Sequence, residues 1–189
     1  MPLQLKRIGM KKKLLIGAGV LIIVIIIGMM WINNRNRTLS PPGEANYDKG
    51  GLTIDIPYSR PSQKGRVIFG TVEEEALQPY GVYWRLGANE ATQVTFNRDV
   101  LFNGNAIKAG TYRMYAVPGP DEFEISLNTG LGNWGAFEPD YSLDILKTMI
   151  PVEESDQAVE QYTIRFEEAS PVVFIVCEWA NMKIKIPVE

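Results

Sequence analysis

The segment Tyr83–Thr92, which reads YWRLGANEAT, places several chemically capable side chains close together. Arg85 is a cation, Asn89 an amide and Glu90 a carboxylate, and they surround Gly87, which permits a tight turn. Arg85 and Glu90 could pair across this turn while Asn89 caps free backbone groups. Buried charges need partners whatever the function of a protein. Such a pair would fix the relative position of two strands. The sequence slightly favours this structural interpretation over one in which the same side chains contact a ligand.

The ligand-binding interpretation adds aromatic and basic side chains from two neighbouring stretches. Flat aromatic faces with a few oriented polar groups are typical of a cleft that binds a sugar or a peptide. The candidate ligand-binding residues are Tyr58, Arg60, Arg66, Tyr80, Trp84, Arg85, Asn89 and Glu90. This hypothesis predicts that the loop Tyr58–Arg66, which contains Pro and Gly, packs near Glu90.

The composition excludes several classes of enzyme. The chain contains no histidine, which removes the Ser-His-Asp triad, the Cys-His pair and the usual zinc ligands. A hydrolase with paired carboxylates needs two of them about 5 to 9.5 Å apart, and Glu90 is the candidate for one. The acidic clusters at Glu73–Glu75 and at Asp140 and Asp144 lack the alternating spacing of a calcium loop and are interpreted as solvated charge. We therefore expect neither a metal site nor a cofactor.

The single cysteine, Cys177, cannot form an intramolecular disulfide. It lies in VVFIVCEW, Val172–Trp179, which is apolar on both faces until Glu178 and is typical of a central strand. A reactive cysteine needs an electropositive and partly exposed setting, so we predict that Cys177 packs in the core.

An uncharged apolar run, Leu14–Ile32, lies near the N-terminus. As a helix it spans roughly 28 Å, close to the hydrocarbon thickness of a bilayer. Five Lys and Arg precede the run and two follow it closely, so the positive-inside rule predicts a cytoplasmic N-terminus. A cleaved signal peptide is the alternative, but its apolar region is usually shorter and no small-residue cleavage site follows. The sequence thus predicts a single-pass inner-membrane protein with a periplasmic or extracytoplasmic C-terminal domain.

The remainder of the chain is acidic. Seven of the 19 Lys and Arg, but none of the 22 Asp and Glu, lie within residues 1–37, so the remainder carries a formal charge of −10. Such a surface is unsuited to nucleic acid and is repelled by anionic lipid. We expect the apolar run to contact the membrane and the acidic part to contact a glycan or a protein.

Alternation of apolar and polar residues predicts the fold of this acidic part. The alternating segments are Leu52–Ile56, Thr92–Phe96, Phe123–Leu127, Tyr162–Phe166 and Met182–Val188. Turn residues at Asn103-Gly104, Pro118–Glu122 and Ala180-Asn181 are each predicted to join two strands. About eight to ten short strands at this spacing predict an all-β fold, an antiparallel β-sandwich of jelly-roll or immunoglobulin-like type, after one N-terminal transmembrane helix.

The predicted organisation has four parts. They are a basic cytoplasmic segment at 1–13, a transmembrane signal anchor at 14–32, a polar linker at 33–50 and the β-sandwich domain at 51–189. The linker is predicted because NNRNRTLSPPGEANYDKG is polar and rich in Asn, Pro and Gly.

Three stretches in order resemble a known bacterial family. They are YSRPSQKGRVIFG (Tyr58–Gly70), PYGVYWRLGANEAT (Pro79–Thr92) and AGTYRMYAVPG (Ala109–Gly119), followed by Trp134-Gly135 and Glu178-Trp179. Together they resemble the family called domain of unknown function 2911, from roughly Gly51 to the C-terminus. The chain departs from the family pattern at Val82-Tyr83 and at Leu86, where a threonine is usual. The resemblance implies an exported, mostly-β domain of a kind common in Bacteroidota, and it implies no reaction.

The sequence favours a binding module for a glycan, a cell-envelope component or a protein partner. A hydrolase that uses Glu90 as acid or base is one alternative. A purely structural or assembly domain, in which YWRLGANEAT is only architectural, is another.

Overall fold

The computed structural model describes residues 9–132 and 134–189. One helix, α1, runs from Met10 to Leu39 and contains the apolar run Leu14–Ile32. By length and composition α1 is able to cross a membrane, although a signal sequence near an N-terminus passes the same test. The predicted basic segment 1–13 lies partly outside the described residues, and its last four residues belong to α1.

The strands occupy the rest of the chain, which forms a compact unit of its own from Leu39 to Glu189. In the described part of the chain they are β1 Pro42–Lys49, β2 Leu52–Ser59, β3 Phe69–Gly70, β4 Gln78–Pro79, β5 Gln93–Phe96, β6 Val100–Phe102, β7 Asn105–Ile107, β8 Gly110–Val117, β9 Glu122–Asn128, β10 Asp144–Ala169 and β11 Val172–Val188. A short 3-10 helix at Tyr141–Leu143 precedes β10.

Nine of these strands form one antiparallel sheet in the order β1-β2-β5-β8-β9-β10-β11-β6-β7, while β3 and β4 form a short parallel pair. Strand β10 is long enough to pair first with β9 and then with β11. The segment after β2 returns to β10, since Ser62 bridges Gln161. The predicted mostly-β, antiparallel fold is confirmed, and the jelly-roll or immunoglobulin-like sandwich type stays a prediction.

The alternation of side chains gives the central strands two different faces. On β8, Met114 and Ala116 are fully buried in the hydrophobic core. Arg113 and Tyr115 point to the opposite face of the same strand and are buried there as well. The central part of the sheet is therefore covered on both faces, with an apolar core on one side and polar side chains on the other.

The predicted linker 33–50 is wrong. Its first residues complete α1, and Pro42–Lys49 is strand β1, which pairs with β2 along its whole length. As an edge strand β1 tolerates Pro42 at its first position. Ala45 is buried, and the ring of Tyr47 lies 5.5 Å from that of Phe166, so alternate residues of this polar stretch do reach the core.

Two of the three predicted turns are confirmed and one is wrong. Asn103-Gly104 joins β6 to β7, and Pro118–Glu122 joins β8 to β9. Ala180-Asn181 is not a hairpin, because β11 continues through it. Ala180 has a left-handed φ of 52° and lies where the register between β10 and β11 shifts. The chain bulges there without reversing its direction.

Candidate functional site

The turn within YWRLGANEAT closes on itself and packs against the end of β2. Arg85 Nη1 donates to the Asn89 carbonyl at 3.3 Å, and Thr92 Oγ1 donates to the Leu86 carbonyl at 2.7 Å. A Cβ at Gly87, whose φ is 150°, would lie 2.7 Å from the carbonyl oxygen of Ser59. A glycine is therefore required here both by conformation and by close approach.

Asn89 ties this turn to the neighbouring chain. Its side chain is buried and donates to the Ser40 carbonyl at 3.1 Å and to Ser59 Oγ at 3.4 Å. The next residue, Glu90, is half-buried and forms a backbone bridge with Trp134. The start of the segment Tyr58–Arg66 thus lies against the residue next to Glu90.

Four other candidate residues have contacts within the protein. The Tyr58 hydroxyl accepts from the Ile164 N–H at 2.9 Å, and Arg60 donates to Thr163 Oγ1 at 3.2 Å. Exposed Arg66 donates to the Gln63 and Ser62 carbonyls, and Trp84 is 1% exposed in the core. Their role in ligand binding stays a prediction, and each has a structural role in the fold.

A polar layer lies on the outer face of the central strands, and the sequence interpretation missed it. The name "polar layer" denotes Tyr83, Arg113, Tyr115, Ser126, Asn128 and Asp144. Arg113 on β8 pairs in register with Asn128 on β9, which pairs with Asp144 on β10. Tyr83 reaches this layer because the adjacent Trp84 exchanges backbone hydrogen bonds with Ala116 at 2.7 and 2.8 Å.

Asp144 is the acceptor at one end of the polar layer. Its carboxylate accepts from Tyr115 Oη and from Asn128 Nδ2, both at 2.7 Å, and lies 3.4 Å from Lys147 Nζ. Its side chain is 6% exposed, so the interpretation of Asp144 as solvated charge is wrong. Burial raises the pKa of Tyr115 well above its usual range, which keeps the hydroxyl protonated as a donor to Asp144.

Arg113 is the cation at the other end and is 1% exposed. Its Nη2 donates to the Tyr83 hydroxyl and to the Phe137 carbonyl, the latter at 2.6 Å. Tyr83 in turn donates to the Gly135 carbonyl at 3.1 Å. Arg113 and Tyr83 thereby hold the segment Trp134–Phe137 against the sheet. Arg113 Nε and Nη1 have no hydrogen-bond partner among the residues that the structure describes.

Two signals in the sequence could have indicated this layer. Alternation along AGTYRMYAVPG places Arg113 and Tyr115 on the face opposite Met114. Two of the three stretches that carry the family resemblance also contribute its members, Tyr83 from one and Arg113 with Tyr115 from the other.

A cleft of about 410 Å³ opens elsewhere on the domain. It is lined by Gln63, Val67, Ile68, Phe69, Tyr80, Gly119, Pro120, Phe123, Val152, Glu153, Glu154, Ala180, Asn181 and Met182. Of the eight candidate residues only Tyr80 is in this set. The ring of Phe69 lies 5.1 Å from that of Phe123 and 5.2 Å from that of Trp84, so core aromatic packing fixes the floor of the cleft.

The cysteine and the carboxylate clusters are the other groups considered for chemistry in the sequence. Cys177 is fully buried, as predicted, and burial raises the pKa of its thiol to about 12. Within residues 9–132 and 134–189, no group of three Cys, Asp or Glu side chains is arranged to hold a metal ion.

The antiparallel sheet and the polar layer form a small mostly-β domain, which follows the apolar helix α1 in the chain. The chain belongs to the family described as "Protein of unknown function (DUF2911)", which matches residues 40–188. The match begins just before β1, so the family domain includes residues 40–50 of the predicted linker. Neither a curated protein nor a solved structure matches the chain.

Proposed function

We propose that the chain is a membrane-anchored binding module whose β domain lies outside the cytoplasmic membrane and binds a neutral or amino-bearing glycan of the cell envelope. The observation that carries this proposal is the cleft beside Tyr80, with its aromatic floor and polar rim. Clefts of this size are typical of small-ligand sites.

The composition of the cleft supports a glycan. Phe69 and Tyr80 are partly exposed and offer flat apolar surfaces to the C–H faces of a sugar ring. Gln63 and Asn181 provide amides, while Glu153 and Glu154 provide carboxylates, all of which form hydrogen bonds with hydroxyl groups. A peptide would use the same apolar floor, and it is the competing ligand in the test below.

The charge of the cleft favours neutral or cationic ligands. Among the described residues, its lining includes two carboxylates and neither Lys nor Arg. An anionic sugar would therefore be repelled, whereas a neutral sugar or an amino sugar would not. Glu90 does not line the cleft, so a hydrolase that uses Glu90 would need a different site.

The position outside the membrane rests on the ends of the apolar run. Five Lys and Arg precede Leu14–Ile32, and two follow it closely, which favours a cytoplasmic N-terminus. The acidic domain is repelled by anionic lipid, which favours a position away from the bilayer surface.

The test uses the full chain in detergent micelles, titrated with chitooligosaccharides, neutral cell-wall oligosaccharides and matched peptides. Tyr80→Ala is expected to weaken binding of the preferred sugar roughly tenfold, because it removes one aromatic face. Phe137→Ala is the matched control, since Phe137 is 70% exposed and does not line the cleft. Tight binding of a peptide in preference to every sugar, or equal loss in both variants, would contradict the proposal.

A further inference from the structure

Among the described residues, the polar layer contains a buried cation, Arg113, that forms no ion pair. None of the ion pairs among residues 9–132 and 134–189 includes Arg113 or Arg85. Arg113 Nη2 is occupied by two neutral oxygens, whereas Nε and Nη1 have no hydrogen-bond partner although they are buried. Burial of an uncompensated charge and of unpartnered N–H groups is costly, which raises the question of what satisfies them.

A second cation, Arg85, adds to the uncompensated positive charge. Burial lowers the pKa of Arg85, Tyr83 partly opposes this shift, and the positive charge of Arg113 adds to it. Arg85 packs against the same covering segment, since its Cδ lies 2.7 Å from where a Cβ at Gly135 would be. Both arginines therefore contact the segment Trp134–Phe137, and an anion bound by both guanidinium groups would stabilise their charges.

The present acceptors of these two cations are mainly backbone carbonyls. Phe137 supplies one to Arg113, and Asn89 supplies one to Arg85. An oxyanion would accept the same N–H groups with a full charge, and such charge-assisted bonds are roughly twice as strong as neutral ones. If an oxyanion replaced the Phe137 carbonyl, Nη2 would be free to act with Nη1 or Nε as a two-pronged donor.

The covering segment is suited to such an exchange. The side chains of Trp134 and Phe137 are 37% and 70% exposed, so neither is buried in the core. The segment is held largely through backbone groups, with the Gly135 N–H donating to the Asn89 carbonyl at 3.0 Å and the Gly135 carbonyl accepting from Tyr83. Displacing it would expose little apolar core surface.

We propose that Arg113 and Arg85 form a binding site for an oxyanion, the carboxylate or phosphate group of a small ligand, beneath the segment Trp134–Phe137. Tyr83 lies beside this site, with the Arg113 guanidinium 5.5 Å from the centre of its ring. None of these residues lines the Tyr80 cleft, so the site is independent of the proposed glycan binding.

The experiment follows the side-chain Nε–H signals of the arginines by NMR in the full chain, in micelles of an uncharged detergent. The probes are inorganic phosphate and acetate, added at constant ionic strength with chloride as the balancing anion. We expect a saturable shift of the Arg113 signal with at least one probe, and the probe that binds more tightly identifies the group as phosphate or carboxylate.

Variants separate binding from a purely structural role of these cations. Arg85→Gln is expected to weaken binding at least tenfold, and Arg113→Lys to abolish it, because lysine lacks the planar fork. Arg165→Gln is the matched control, since Arg165 is ion-paired to Glu178 on β11, and it is expected to leave binding unchanged. If Arg113→Lys does not fold, Arg85→Gln decides alone.

The proposal would be overturned by a linear, non-saturating response of the Arg113 signal to both probes. Equal binding by wild type and Arg85→Gln would also overturn it. Either result would assign Arg113 only to holding the segment Trp134–Phe137, and neither would bear on the Tyr80 cleft.

Discussion

The hydroxyl group of Tyr115 on β8 donates a 2.7 Å hydrogen bond to the carboxylate of Asp144 on β10, across the intervening strand β9. Asn128 on β9 donates to the other carboxylate oxygen at the same distance. A nearly buried carboxylate thus bonds to groups from two other strands. These bonds fix the side-chain positions of the polar layer.

Removal of the Tyr115 hydroxyl should destabilise the domain. Tyr115→Phe is expected to lower the free energy of unfolding by about 2 kcal/mol, since a hydrogen bond to a buried charge is lost. Urea unfolding of the compact domain Leu39–Glu189 measures this change. Tyr112→Phe is the control, because its hydroxyl donates to the neutral Lys108 carbonyl at 2.9 Å. A larger loss in Tyr112→Phe than in Tyr115→Phe would contradict this assignment.

The close contact between Gly87 and Ser59 predicts that a larger residue at position 87 destabilises the domain. Gly87→Ala should cost at least ~2 kcal/mol, because the added Cβ would meet the Ser59 carbonyl at 2.7 Å and the φ of 150° is unfavourable. Gly104→Ala is the matched variant, with a positive φ of 75° but nothing within 4 Å, and it should cost about 1 kcal/mol. Equal melting temperatures of the two variants would show that the turn does not pack on β2.

The buried thiol of Cys177 predicts a dependence of stability on alkaline pH. Its pKa is about 12 in the fold against an ordinary value of 9.0, so above pH 9 the unfolded chain loses this proton while the folded chain keeps it. The contribution of the thiol to stability is therefore complete below pH 9 and declines as the pH rises from 9 towards 12. Urea unfolding between about pH 8 and pH 10 should show a steeper loss for wild type than for Cys177→Ala.

The same burial predicts slow chemical labelling. At about pH 8 the folded domain should react with an aromatic disulfide reagent at least a hundredfold more slowly than the unfolded chain, because the thiol is both protonated and enclosed. Rapid labelling in the folded state would place Cys177 outside the core.

Local patterns in the sequence predict much of the fold. Period-two alternation indicates strands such as β2, β5 and β9, and Asn103-Gly104 indicates a hairpin. The pattern does not indicate the strand Pro42–Lys49, because this stretch is polar and only a few small or aromatic residues in it are buried or partly buried. The prediction also fails at Ala180. Its left-handed backbone conformation occurs both in bulges and in turns, so the sequence does not tell the two apart.

The candidate site is harder to predict because its residues meet only through strand pairing. Asp144 and Arg113 are far apart in the chain, and the register of β8, β9 and β10 brings them into one row with Asn128. The acidic neighbour Asp140 looks similar in sequence, yet it is exposed and its side chain caps the 3-10 helix before β10. Residue type in the turn and in the stretches beside it indicates the eight ligand-binding candidates, of which Tyr80 lines the cleft and Arg85 belongs to the proposed oxyanion site.

The central proposal is that α1 crosses the inner membrane and that the acidic β domain lies on the outer side of that membrane. In the most direct measurement, alkaline phosphatase is fused after Glu189, and green fluorescent protein is fused there in a parallel experiment. Each fusion protein is expressed in a Gram-negative host. We expect an active phosphatase and a dark fluorescent protein, both in the membrane fraction. An inactive phosphatase with a bright fluorescent protein would place the domain in the cytoplasm and contradict the claim.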